Sequence, residues 1–147
     1  MPEIVATSGT SGVPKQVVLS DEAIAASTDA ANEALGGAGQ WVLSLPDSFI
    51  AGRNVVWRNA PSGAPLVRTE GSFTAEAFVT AVESLEHDRR YTSLVPTQLA
   101  RLVDAAQLDR SFAAPIRRLD RILLGGQRAP IGLIERAARL GWKVTRT

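Results

Sequence analysis

The sequence predicts an α/β fold with a mainly parallel sheet and flanking helices. Short apolar runs rich in β-branched residues alternate with helical patterns of ten or more residues, which is typical of βαβ units. Glycines and prolines separate these runs, and no internal repeat or long linker divides the chain. With 147 residues, of which 45% are hydrophobic, the chain can bury one core. We therefore expect a single domain over residues 1–147.

The first element is a loop rich in glycine and hydroxyl groups. Residues 4–6 are apolar and lead into it, and residues 16–19 are β-branched and extended in character. Two glycines allow backbone amides to face one anion, the hydroxyls add donors, and Lys15 adds a mobile positive charge. The pattern predicts a polyphosphate-binding loop at the tip of a β-hairpin.

A Walker phosphate loop is the first alternative for this segment. That motif needs four residues between its glycines, then Lys and Ser or Thr, and a helix directly after. Here only two residues separate Gly9 from Gly12, two more precede Lys15, and the following segment favours a strand. The spacing argues against an ATPase of the Walker type.

The next elements are marked by caps and breakers. Ser20 is a suitable N-cap for a helix with acidic residues in its first turn, and the glycine pair at 36–37 suits its end. Residues 41–45 predict a buried strand that Pro46 stops, and residues 51–60 predict a short helix before a proline.

The second half of the chain continues the alternation. Thr74 predicts a helix N-terminus, with Phe73 and Phe78 placed for a hydrophobic staple. Residues 91–95 predict a strand, and Pro96 suits the first turn of the next helix.

The last predicted elements are a strand over residues 121–124, a helix that opens at Pro130 and closes near Gly141, and a strand that starts at residues 142–145. Ligands of parallel sheets collect beyond the carboxyl ends of the strands. We therefore expect a site at the loops that follow residues 5, 45, 95 and 124.

Composition limits the possible partners. Sixteen basic and fifteen acidic residues leave a net charge of +1, which gives no field for nucleic acid. Cysteine is absent, so disulfides and thiol nucleophiles are excluded, and the single histidine argues against a zinc site. No apolar run has the length of a membrane span. We expect a cytoplasmic protein with no nucleic-acid partner.

Residues 7–16 resemble the phosphate-binding signature of the AMP-forming adenylating enzymes, Thr-Ser-Gly-Thr-Thr/Ser-Gly-x-Pro-Lys-Gly, and depart from it only at Gln16. Three later segments are also similar to that family. Residues 45–52 resemble its acyl-pocket motif, residues 90–99 its next strand and helix, and residues 124–127 its glycine segment along the adenosine. Residues 91–99 look most like the o-succinylbenzoate-CoA ligases of menaquinone synthesis in actinobacteria.

The resemblance implies a partial N-terminal domain of an adenylate-forming enzyme. Its parent would activate a small-molecule carboxylic acid, o-succinylbenzoate in the closest likeness, with ATP and Mg²⁺, and would transfer the acyl group to coenzyme A. The implied phosphate ligands are Thr7, Ser8, Gly9, Thr10, Ser11, Gly12 and Lys15, of which Lys15 and Thr10 are catalytic and Thr10 also lies near Mg²⁺. Gly125, Gly126 and Gln127 would border the adenosine, and Phe49, Gly52 and Ser93 would bind the acyl group.

Two departures qualify this interpretation. Phe49 stands where such ligases usually carry histidine, and the family's Tyr-Gly-x-Ser/Thr-Glu motif and its mobile C-terminal domain would both follow Thr147. We therefore expect a fragment of the ATP- and acyl-binding domain that is catalytically incompetent alone, and an exposed sheet edge would allow it to self-associate. Two alternatives remain open: another acyl- or aryl-CoA ligase, and a non-catalytic nucleotide-binding or interaction module.

Overall fold

The computed structural model describes residues 2–7, 15–126 and 128–147. In chain order the strands are β1 (Glu3–Thr7), β2 (Lys15–Leu19), β3 (Gln40–Leu43), β4 (Val67–Arg68), β5 (Arg90–Leu94), β6 (Arg121–Leu124) and β7 (Val144–Arg146). The helices are α1 (Asp21–Ala34), α2 (Ile50–Asn59), α3 (Ala75–Glu83), α4 (Pro96–Leu108), α5 (Ala113–Arg117) and α6 (Leu133–Arg139), with 3₁₀ turns at Ala60–Ser62 and Arg110–Phe112. Within these residues no helix is both long and apolar enough to cross a membrane.

The main sheet is parallel throughout. Its five strands lie in the order β4-β3-β5-β6-β7, and every neighbouring pair is parallel. Alternate side chains point to opposite faces: Val42 joins a core with Leu99 of α4, whereas Trp41 joins a second core with Val55 of α2. Helices therefore cover both faces, and the predicted α/β class is confirmed.

The hairpin β1–β2 forms a separate two-stranded antiparallel sheet. Its register pairs Glu3 with Leu19 and Thr7 with Lys15, so the two strands meet at the predicted phosphate loop. The antiparallel pairing predicted for the two flanking strands is present. The loop itself, residues 8–14, lies outside the described residues.

The buried side chain of Gln40 joins the amino ends of three strands. Its Oε1 accepts hydrogen bonds from the backbone N–H groups of Glu86 (2.8 Å) and His87 (3.1 Å), just before β5. Its Nε2 donates to the carbonyl oxygen of Pro65, just before β4, at 2.9 Å. One amide at the start of β3 thus satisfies backbone groups of both neighbouring segments, as buried polar groups require.

Several predicted boundaries were wrong by a few residues. Strand β3 ends at Leu43, two residues before its predicted end. Helix α6 begins at Leu133 rather than at Pro130, because Gly132 takes the left-handed φ of 83° immediately before it. Two elements were missed: β4, which has only two residues, and α5, which has five and contains Pro115.

The predicted start of α3 is confirmed in detail. The Thr74 hydroxyl oxygen accepts a hydrogen bond from the N–H of Ala77 at 3.1 Å. The rings of Phe73 and Phe78 lie 5.7 Å apart between centroids, which is the contact expected of a hydrophobic staple. Both features fix the angle at which the chain enters the helix.

Thr74→Ala is expected to lower the free energy of unfolding by about 1 kcal/mol, since an N–H of the first turn loses its acceptor. Thr80→Ala is the matched control on the same helix. The Thr80 hydroxyl only donates back to the Glu76 carbonyl at 2.9 Å, and alanine is the better helix former, so no loss is expected there. Urea unfolding of both variants measures the difference, and equal losses would contradict the cap.

Candidate functional site

The carboxyl edge of the sheet contains a topological switch point between β3 and β5. The chain leaves β3 toward α2 on one face and leaves β5 into α4 on the other face. Because the two connections diverge, a crevice opens between the strand ends, and open α/β sheets bind ligands at such crevices. The site expected after β3 and β5 therefore has a physical basis in the connectivity.

A cavity of about 440 Å³ occupies this crevice. One wall is formed by residues 45–46 and by α2 as far as Arg58, and the other by the end of β5 and the glycines after β6. Five predicted site residues line it: Phe49, Gly52, Ser93, Gly125 and Gly126. The structure thus brings the residues assigned to the acyl group and two of those assigned to the adenosine around one space. Gln127 lies outside the described residues.

The first turn of α2 packs tightly against the loop after β3. The N–H of Phe49 points at the carbonyl oxygen of Pro46 at 3.4 Å. At Gly52 the backbone comes closer still, since a Cβ built there would lie 2.1 Å from that same oxygen. A side chain at position 52 would force the loop or the helix to move, so the packing against Pro46 favours glycine there.

The hairpin is anchored on α2, beside the cavity. The N–H of Ala6 donates to the Ser48 carbonyl at 3.1 Å, and Ala6 forms a parallel bridge with Phe49. The indole N–H of Trp57 donates to the carboxylate of Glu3 at 2.7 Å. The base of the predicted phosphate loop therefore stands against the helix that forms one cavity wall.

The described ends of the phosphate loop are Thr7 and Lys15. The Thr7 hydroxyl oxygen lies 3.5 Å from the Lys15 carbonyl oxygen, and the Lys15 side chain is exposed. The other predicted phosphate ligands, Ser8, Gly9, Thr10, Ser11 and Gly12, lie outside the described residues. Their phosphate contacts stay predictions.

Arg58 is a cavity residue that the sequence reasoning missed. It lines the cavity from α2, one turn after Asn54. Burial lowers the pKa of its guanidinium, because the charged form loses hydration. The guanidinium carbon lies 5.9 Å from the ring centroid of Trp41, within cation–π range. Positions 54 and 58 are four residues apart on the predicted helix 51–60, and this spacing was the available signal.

The described ion pairs leave Arg58 without a carboxylate. They join Arg68 to Asp47 at 3.1 Å and Arg136 to Asp104 at 2.7 Å. A partly desolvated guanidinium beside an apolar space is favourable for an anion, and its planar fork matches a carboxylate in particular. The cavity can therefore hold an apolar acid that carries a carboxylate at the Arg58 side.

A second cavity of about 450 Å³ adjoins the first at Val95 and Gly126. Gly126 has a φ of 86°, and a Cβ built on it would lie 3.4 Å from Cγ1 of Val95. This φ favours glycine at a turn that lines both cavities. Arg128 and the first turn of α4 line the second cavity.

In the ranges 2–7, 15–126 and 128–147, no three carboxylate, imidazole or thiol groups converge to hold a metal ion. Thr10, the predicted magnesium neighbour, lies outside these ranges. The assignment of Thr10 to Mg²⁺ therefore stays a prediction.

Comparison with known proteins agrees with this geometry. The model of the AMP-binding enzyme family matches residues 4–146. A probable 2-succinylbenzoate-CoA ligase of Mycobacterium tuberculosis is 40% identical over 146 residues, covering 98% of this chain and 37% of that protein. The 2-succinylbenzoate-CoA ligase of Haemophilus influenzae is 35% identical over 137 residues, covering 92% and 28%.

A solved structure gives the same result. The o-succinylbenzoate coenzyme A synthetase of Bacillus subtilis, in complex with AMP, matches with a TM-score of 0.77 and 25% identity, over 98% of this chain and 29% of that one. The chain thus spans well under half the length of the relatives it matches. Since the family model extends over nearly all of its residues, the chain belongs to the AMP-binding enzymes.

Proposed function

We propose that this chain is the ATP- and acyl-binding part of a larger AMP-forming acyl-CoA ligase. Its acid substrate is 2-succinylbenzoate, and the ligation is a step of menaquinone synthesis. The observation that carries the proposal is the apolar cavity at the switch point, with Arg58 among its lining residues and the hairpin anchored beside it. The named relatives support the same substrate. Residues 1–147 then form part of the N-terminal domain, and the remaining catalytic groups belong to other segments of the ligase.

The chemistry of 2-succinylbenzoate fits this arrangement. The molecule carries an aryl ring and two carboxylates, so one carboxylate reacts while the other is free for recognition. Leu45, Phe49 and Ile50 supply apolar surface for the ring. Arg58 supplies the cation for the carboxylate that does not react.

The proposed reaction has two halves. A carboxylate oxygen attacks the α-phosphorus of ATP, the bond to pyrophosphate breaks, and an acyl-adenylate forms. The thiol of coenzyme A, as its thiolate, then attacks the acyl carbon and AMP leaves with the electron pair. Both halves build negative charge on oxygen, so positioned cations and N–H donors matter more than a protein nucleophile. Lys15 and the loop hydroxyls would hold the departing phosphates.

Lys15→Ala is expected to weaken ATP binding about tenfold to a hundredfold, as for the loss of a hydrogen bond between charged groups. Lys143→Ala is the matched control, since Lys143 is also an exposed lysine beside a strand but lies before β7. Calorimetric titration of both variants with ATP checks the difference. Equal affinities for the wild type and Lys15→Ala would remove the phosphate role of this lysine.

A different acyl- or aryl-CoA ligase is the second candidate, because the hairpin and the glycines would serve any acid. Arg58 separates the two, since an acid with only one carboxylate leaves this cation without a partner. Binding of a simple aliphatic acid as tightly as 2-succinylbenzoate would favour the second candidate. ATP binding without binding of any acid would favour a nucleotide-binding module with no chemistry of its own.

A further inference from the structure

We propose that Gln98 is a positioning residue that braces the switch-point crevice and so sets the separation of the two cavity walls. The inference rests on the proposed function for its consequence in ligand binding. Its structural basis is independent of that function. Gln98 does not line the cavity; it acts on residues that do.

The amide of Gln98 spans the two strands on either side of the crevice. Its Oε1 accepts the N–H of Val95, after β5, at 3.1 Å. Its Nε2 donates to the carbonyl oxygen of Ser44, after β3, at 2.8 Å. Because one partner can only donate and the other can only accept, the orientation of the amide is fixed. A carboxylate or an aliphatic side chain cannot make both contacts.

The Gln98 side chain links the segments that follow β3 and β5, beyond the point at which the backbone pairing of these strands stops. The β3–β5 register ends at Val42 and Thr92, whereas β5 and β6 stay paired as far as Leu94 and Leu124. The Thr92 hydroxyl donates to the Val42 carbonyl at 2.9 Å, and Gln98 makes the next link along β3. Side-chain hydrogen bonds therefore replace the missing backbone links across the crevice.

Both partners of Gln98 adjoin the cavity walls. Ser44 directly precedes residues 45–46, and Val95 is itself a wall residue. The carbonyl of Pro46 is packed against Gly52, so a shift of Ser44 is carried into the first turn of α2. Since Arg58 lies on the same helix, Gln98 indirectly fixes the distance from this cation to the β5 wall.

Gln98→Glu tests the hydrogen bond to Ser44 separately from the hydrogen bond to Val95. The introduced carboxylate is nearly isosteric and can still accept from the Val95 N–H, but it has no proton to donate to Ser44. We expect the Val95 amide to keep its hydrogen-exchange protection, the Leu45 amide resonance to shift, and 2-succinylbenzoate to bind about tenfold more weakly, as for the loss of one buried hydrogen bond. Gln98→Leu should lose the Val95 protection as well.

The matched control is Gln107→Glu, on the same helix. Gln107 accepts from Arg136 through its Oε1 at 2.7 Å, and a carboxylate keeps that contact. This variant should leave the Leu45 resonance and the acid affinity as in the wild type.

A pH titration of Gln98→Glu gives a second test. Protonation of the introduced carboxyl at low pH restores a hydrogen-bond donor, so the Leu45 resonance of Gln98→Glu should return toward its wild-type position.

The outcomes distinguish the two proposals. If the wild type does not bind 2-succinylbenzoate while Gln98→Glu shifts the Leu45 resonance reversibly with pH, the brace stands and the proposed substrate fails. If Gln98→Glu leaves the Leu45 resonance and the acid affinity unchanged, the positioning role is overturned. A merely capping role for Gln98 predicts that second result, because the bond to Val95 is retained.

Discussion

Replacing Arg58 with methionine is expected to weaken 2-succinylbenzoate binding by about tenfold to a hundredfold, the value of a hydrogen bond to a charged group. Arg58 lines the apolar cavity, its guanidinium is partly desolvated, and it has no carboxylate partner among the described residues. Methionine preserves much of the apolar stem and can still pack on Trp41. The loss would therefore report the charge rather than a collapsed cavity wall.

Arg53→Met is the matched control, because Arg53 lies on α2 but does not line the cavity. Isothermal titration of each variant with 2-succinylbenzoate and with an aliphatic monocarboxylate gives four affinities. Only the affinity of Arg58→Met for 2-succinylbenzoate should be lower than that of the wild type. If both arginine variants lose the same affinity, or if the monocarboxylate loses as much, Arg58 is not the recognition cation.

Gly52→Ala is expected to destabilise the protein by about 1–3 kcal/mol, the range for overpacking a tight contact. The added Cβ would lie 2.1 Å from the Pro46 carbonyl oxygen, 2.7 Å from its carbon and 3.1 Å from Cα of Asp47. All three atoms are backbone, so relief requires the loop or the helix to move. At roughly 2–4 °C per kcal/mol for a chain of this size, the melting temperature should fall by several degrees.

Gly125→Ala is the control for this prediction. There the added Cβ would meet only the Thr147 hydroxyl, at 3.1 Å, and that side chain can rotate. Its effect on the melting temperature should be much smaller, as measured by circular dichroism. Equal shifts in the two variants would mean that the approach to Pro46 relaxes without cost.

The fold was largely predictable because its signals are local. The start of α3 depends on Thr74 and on two phenylalanines, all within a few residues of one another. Strand β4 was missed because two residues show no periodicity, and its pairing with β3 is decided by tertiary contacts. Helix α5 was missed because five residues with an internal proline resemble a turn.

The candidate site was predictable only where a residue follows a strand within a recognisable motif. Phe49, Gly52, Gly125 and Gly126 meet that condition, Ser93 lies next to the last residue of β5, and all five line the cavity. Arg58 was missed because an arginine on a helix is usually solvated. Gln98 was missed because its role depends on Ser44, which is distant in sequence and is brought near only by the parallel pairing of β3 and β5.

The hydrogen bonds of the Gln40 side chain have a practical consequence for engineering. Because it ties the amino ends of β4, β3 and β5 together, that edge can maintain strand alignment while the opposite loops are exchanged. A library meant to accept new acids should therefore vary the segment after β3 and the cavity face of α2 and leave Gln40 untouched.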